Sequence, residues 1–163
     1  MLRESERWTE AARTLTAAQG ASDASYILRL LSFELLLKAL VEQHAAILAP
    51  KHHRYAEIFK LLPDQVGAEL LELAGQRIGP SELSIQPIKV LEELGGNFAG
   101  LRYPWERYEG LSEKQYDALG PAWVAAGAPD DQAKFRHYPE ELYGLTEAAR
   151  SMTGRSIKFE THS

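Results

Sequence analysis

The chain has 163 residues, 45% hydrophobic and 25% charged, with 18 basic against 23 acidic side chains and no cysteine. That length and apolar content suit one domain with its own core and exclude collagen-like and disordered classes. Without cysteine there is no disulfide, thiolate metal site or thiol nucleophile. The formal charge of −5 argues against a nucleic-acid coat protein held by phosphate neutralisation. The segment Met1 to Trp8 lacks the apolar stretch of a secretory signal. Arg29, Glu34, Lys38 and Glu42 break the apolar runs, so a cytoplasmic chain without a membrane span is expected.

Residues from about Glu4 to Gln19 are rich in Ala, Glu and Arg, with Trp8, Ala11, Ala12 and Leu15 along one side. They predict a first helix, stopped by Gly20. Ser22 or Asp23 then supplies the cap of a long second helix reaching about Ala49 and ended by Pro50. From Ile27 to Val41 this helix is apolar almost all the way round, which predicts burial on every side, as the central rod of a bundle or against another subunit.

Lys51-His52-His53-Arg54 forms a basic turn, and Tyr55 to Leu62 predicts a short helix closed by Pro63. Asp64 caps a third long helix to about Ile78, with Val66, Leu70, Leu71 and Leu73 as its stripe. Ile85 to Leu94 predicts another, ended by Gly95-Gly96. Glycine and proline are then frequent, so about 95–137 is expected to be irregular. One short helix is expected there, opened by the capping box Ser112-Glu113-Lys114-Gln115 and ending before Gly120-Pro121. Tyr138 or Pro139 to Met152 predicts the last helix, with Leu142, Leu145, Ala148 and Ala149 inward. The tail, 155–163, has no clear period. The whole reads as an all-α single domain over 1–163.

Three groups of residues carry possible chemistry. At 100° per residue, Leu30, Leu31, Leu37 and Val41 fall within about 60° of Glu34, with Lys38 one turn on. That pair either fixes helix register as a buried ion pair or places charge beside a ligand. His44, His52 and His53 lie near the end of the same helix. No HExxH or carboxylate-spaced partner accompanies them, so no metal and no cofactor is expected. Arg102-Tyr103-Pro104-Trp105-Glu106-Arg107-Tyr108 is the densest cluster of arginine and aromatics. Such a cluster clamps phosphates and stacks bases, or anchors a loop or subunit interface. Arg136-His137-Tyr138 is a smaller cluster of the same kind.

Some of these residues also carry a resemblance. Tyr26-Ile27-Leu28 followed by Phe33-Glu34-Leu35-Leu36-Leu37-Lys38-Ala39-Leu40 resembles the central helix of the HEPN (higher eukaryote and prokaryote nucleotide-binding) family. His53-Arg54-Tyr55-Ala56-Glu57-Ile58-Phe59-Lys60-Leu61-Leu62-Pro63 is similar to the histidine turn and short helix that follow it. Asn97 to Glu106 looks like the family's "F…RYPYE" segment. The matches cover 22–63 and 97–106, in the expected order.

The resemblance implies an up-and-down helical bundle, usually homodimeric. It further implies either a metal-independent ribonuclease of a toxin or antiviral defence system, or an inactive member that binds nucleotides, RNA or a partner such as a nucleotidyltransferase. On that footing the working groove would hold Arg102, Tyr103 and Trp105 with Glu34, Lys38 and His53. The family's nuclease motif is Arg followed by His after four to six intervening positions, and Arg102 has no histidine at that spacing. Arg155 with His162 matches formally, but five histidines and three allowed spacings make one accidental match expected. A displaced histidine, His53 or His137, approaching Arg102 in space would restore the chemistry. The acidity, moreover, is local: residues 61–131 hold 5 basic and 12 acidic groups, whereas 27–60 hold 5 and 3. Only the former stretch is unsuited to a phosphate-bearing partner.

Overall fold

A computed structural model describes residues 1–103, 109–129 and 136–160, with the backbone alone for 155–160. Among these residues the protein is an all-α helical bundle, and no strand is present. Its helices are α1 (Leu2–Gln19), α2 (Asp23–Ala45), α3 (Tyr55–Phe59), α4 (Asp64–Ile78), α5 (Glu82–Ile85), α6 (Pro87–Arg102), α7 (Glu113–Ala125) and α8 (Pro139–Glu160). No helix among the described residues is long and apolar enough to cross a membrane.

The central rod is α2. Ser22 caps it reciprocally with Ser25, each side chain accepting from the other's backbone N–H. Leu30, Phe33, Leu36, Leu37, Leu40 and Val41 are buried against α3, α6 and α8. On the opposite side α1 lies against α2 through small and hydroxyl side chains. Ser5 and Ala12 are fully buried there, and the Ser5 and Ser32 hydroxyls meet at 2.9 Å. Of the side formed by Trp8, Ala11, Ala12 and Leu15, Ala12 is buried, whereas the other three are half-buried. The other major contact joins α4 to α8, where a Cβ on Gly144 would stand 3.0 Å from the Ala74 carbonyl.

Several boundaries depart from the sequence expectation. The second helix ends at Ala45 rather than Ala49: Ala46 turns left-handed (φ 52), and the Glu42 side chain takes up the Ala49 N–H at 3.3 Å. The short helix ends at Phe59, and the N–H groups of Leu61 and Leu62 are satisfied by tighter three-residue turns before Pro63. Pro63, not Asp64, occupies the cap position of α4, and Asp64 instead places its charge in the first turn. Ile85, expected to open the next helix, instead ends the four-residue α5, and α6 begins at Pro87.

The largest correction concerns the stretch expected to be irregular, 95–137. Helix α6 runs straight through Gly95-Gly96 to Arg102, α7 continues through Gly120-Pro121, and α8 passes Met152 and Gly154. Each glycine costs a helix about 1 kcal/mol. In α6 the burial of Leu94, Phe98 and Leu101 outweighs that cost. Gly95 is also required by contact: a Cβ there would lie 2.8 Å from the His53 carbonyl oxygen and 3.1 Å from the Tyr55 nitrogen. The glycine lets α6 press against the turn that carries His53.

Candidate functional site

Glu34 sits midway along α2 with its side chain only 3% exposed, ringed by the leucines that bury the helix. A buried carboxylate needs partners, and Lys38 and His53 are its basic ones. The Lys38 Nζ, one turn on, lies 2.7 Å from Glu34 Oε1. The His53 Nδ1 reaches both oxygens, at 3.0 Å and 2.8 Å. An ionised carboxylate only accepts hydrogen bonds, so Nδ1–H donates and the ring of a neutral His53 carries its lone pair on Nε2.

That second nitrogen faces Arg102. Its Nη1 lies 3.4 Å from His53 Nε2, while Nη2 donates to the Tyr103 hydroxyl at 2.9 Å. The guanidinium carbon stands 5.4 Å from the Phe98 ring centre and 5.1 Å from that of Tyr103. The His53 ring is itself tilted on Phe98 at 4.7 Å. The guanidinium therefore lies within cation–π range of both rings, at the exposed edge where its remaining N–H donors can meet an anion. The array is polarised. The single carboxylate is inside, the Lys38 ammonium lies beside it at the protein boundary, and Arg102 is exposed at the outer edge.

Tyr55 supports the inner wall. Burial pushes its phenol well above the usual range, and the Glu34 charge nearby pushes it the same way. The hydroxyl stays protonated and donates to the Leu30 carbonyl at 3.1 Å, tying α3 to α2 under the histidine turn.

Of the residues singled out in the sequence, the structure thus brings Glu34, Lys38, His53, Arg102 and Tyr103 into one connected group. Trp105 lies outside the described residues, as do His162 and the side chain of Arg155. His137 is placed elsewhere: its carbonyl accepts from the Tyr26 hydroxyl, and its ring is tilted on that of Tyr26 at 5.0 Å. Tyr26 is eight residues, about 12 Å, up α2 from Glu34. His44 is exposed on the last turn of α2, and His52 Nε2 lies 3.7 Å from Glu57. No three His, Asp or Glu side chains among the described residues are grouped to hold a metal.

Phe98, read in the sequence only as part of the 97–106 resemblance, and Gly95, read there as a helix stop, also border this group. Phe98 precedes Arg102 by four positions, the spacing that stacks two side chains on one helix face. Taking Gly95-Gly96 as a stop concealed it. Two surface clefts, of about 240 and 290 Å³, lie away from this group, between α1, α2 and the start of α8, and share Arg29 and Pro139 in their walls.

No family model, curated protein or solved structure matches the chain.

Proposed function

We propose that this chain is a HEPN-like helical protein, homodimeric, that binds a nucleotide or single-stranded RNA through its phosphate at the Arg102–His53 edge. The observation that carries the reading is the chain of contacts from Glu34 through His53 to Arg102. Arg102 offers a planar fork suited to phosphate oxygens. The half-exposed Tyr103 ring beside it offers a face on which a base can stack. A labelled RNA oligonucleotide titrated with protein tests this: Arg102→Ala should weaken binding at least tenfold, and equal affinity would remove the assignment.

A second reading, metal-independent RNA cleavage, is favoured by one specific observation. The His53 ring is held at Nδ1 by a buried carboxylate and directs Nε2 towards the guanidinium. In that arrangement Nε2 takes the proton of a 2′-hydroxyl, and the 2′-oxygen bonds to phosphorus as the P–O5′ bond breaks. The leaving 5′-oxygen takes a proton from the His53 imidazolium or water, giving a 2′,3′-cyclic phosphate and a 5′-hydroxyl, while Arg102 stabilises charge on the phosphorus oxygens. The histidine would come from the α2–α3 turn rather than from the motif spacing after Arg102. Cleavage of labelled RNA in excess EDTA, lost in His53→Ala, is the expected outcome. Intact RNA under those conditions eliminates catalysis and leaves binding standing.

A further inference from the structure

The two clefts beside α2 lie on a different side of that helix from Glu34. Arg29, common to both, precedes Glu34 by five residues, which turns it about 140° round the helix axis. Stripes from three helices converge there. Thr9 and Arg13 stand one turn apart on α1, and Arg29 and Ser32 share one face of α2. Pro139, Tyr143 and Thr146 follow one another along a single face of α8. These side chains line the first cleft, of about 240 Å³. The second, of about 290 Å³, shares Arg29 and Pro139 and extends to Ser22 and Tyr26. Neither alone reaches the roughly 300 Å³ of a small-ligand site, and joined they exceed it.

The wall between α1 and α2 is already satisfied internally. The buried Ser32 hydroxyl meets those of Ser5 and Thr9 at 2.9 and 2.8 Å, and Arg150 Nη2 donates to Thr9 Oγ1 at 3.1 Å. Arg150 Nη1 pairs with Glu147, the carboxylate of the first cleft, and offsets its charge. The mouth, by contrast, is cationic. Arg29 is exposed, gives a hydrogen bond to Thr16 Oγ1 at 3.3 Å and makes no ion pair among the described residues. Arg13 meets Glu10 only at 3.5 Å, with both side chains about 70% exposed, a contact that water screens and a dianion can displace. The Tyr143 ring, 58% exposed, borders the same cleft. Asp23, the acid of the second cleft, lies six residues, about 9 Å, up α2 from Arg29.

We infer that the joined cleft is a second ligand site, for a small phosphomonoester carrying a planar ring, of which a nucleoside monophosphate is the simplest. The two guanidinium forks of Arg13 and Arg29 match the oxygens and double charge of the phosphate. The exposed Tyr143 ring offers the face on which the planar group stacks. Arginine without a ring beside it would suit inorganic phosphate equally, and the tyrosine selects the organic ester. The site uses neither Arg102 nor His53, so it stands or falls apart from the proposed function.

Isothermal titration calorimetry of the full chain with adenosine monophosphate, in wild type and in Arg102→Ala, measures it. A saturable site should persist in Arg102→Ala. On that background Arg29→Gln should weaken it roughly tenfold or more, and Arg13→Gln and Tyr143→Ala about threefold or more each. All three positions are exposed, so helical circular dichroism should be unchanged. Adenosine and inorganic phosphate should each bind roughly tenfold more weakly than the monophosphate. Absence of saturable binding in Arg102→Ala overturns the inference and leaves the Arg102 edge unaffected as a site. So does an affinity indifferent to Arg29→Gln and Arg13→Gln, or adenosine or inorganic phosphate bound as tightly as the monophosphate.

Discussion

His53 Nε2 lies 3.4 Å from Arg102 Nη1 although 49 positions separate the two residues in sequence. The approach depends on three supports. Glu34 holds the far side of the imidazole, Gly95 lets α6 close on the histidine turn, and Phe98 lies beneath both side chains. Each support can be removed separately, with a different expected outcome.

Replacing Glu34 by Ala leaves the Lys38 ammonium, 11% exposed, and His53 without their acceptor. Loss of one member of a buried pair costs about 3–5 kcal/mol. Glu34→Gln retains an acceptor oxygen and should fall between Ala and wild type. Urea unfolding monitored by circular dichroism measures both. An Ala variant within about 0.5 kcal/mol of wild type would mean that water already solvates the pair.

The two adjacent glycines of α6 should respond in opposite directions. Gly96 has open space where a Cβ would stand, so Gly96→Ala should gain up to about 1 kcal/mol from helix propensity. Gly95→Ala forces a methyl into the His53 carbonyl and should lose about 1–3 kcal/mol despite the same propensity gain. It should also displace the imidazole from Arg102 and weaken RNA binding. Thermal unfolding of the pair decides the matter. Equal and positive shifts would show that α6 does not press on the turn.

Alkaline pH reports on the top of α2. Burial pushes the Tyr26 phenol from 10.0 up to about 12, the Asn97 hydrogen bond opposing and the Glu141 charge reinforcing the shift. The sign follows from linkage: the unfolded phenol ionises first, so Tyr26 contributes fully below pH 10 and its contribution is lost as pH rises through about 12. Tyr55 is shifted the same way, chiefly by burial. Urea midpoints should therefore fall steeply above about pH 10, and Tyr26→Phe should flatten part of that fall. A slope identical in Tyr26→Phe would place the titration elsewhere.

The sequence was most informative where one local rule acted alone. Ser22 marks the start of α2, the unbroken leucines mark its burial, and the four-residue spacing marks Glu34 with Lys38. It misled where a local rule met a tertiary contact. Gly95-Gly96 carries a stop signal, yet Gly95 is small because the His53 backbone passes 2.8 Å from its would-be Cβ. Reading the glycines as a terminus cost the helical register that puts Phe98 under Arg102. The meeting of Arg102 with His53 is a property of how α6 docks on the α2–α3 turn. Spacing along the chain does not encode it.

The central claim is that the Arg102 guanidinium receives a phosphate at the edge bordered by His53 Nε2, while Glu34 retains Nδ1. Nitrogen NMR of 15N-histidine-labelled protein during titration with a short RNA oligonucleotide tests it most directly. The account predicts a progressive change at His53 Nε2, little change at Nδ1, and loss of the response in Arg102→Ala with Arg54→Ala as the exposed control. Saturable RNA binding that leaves both His53 nitrogens unmoved would contradict it.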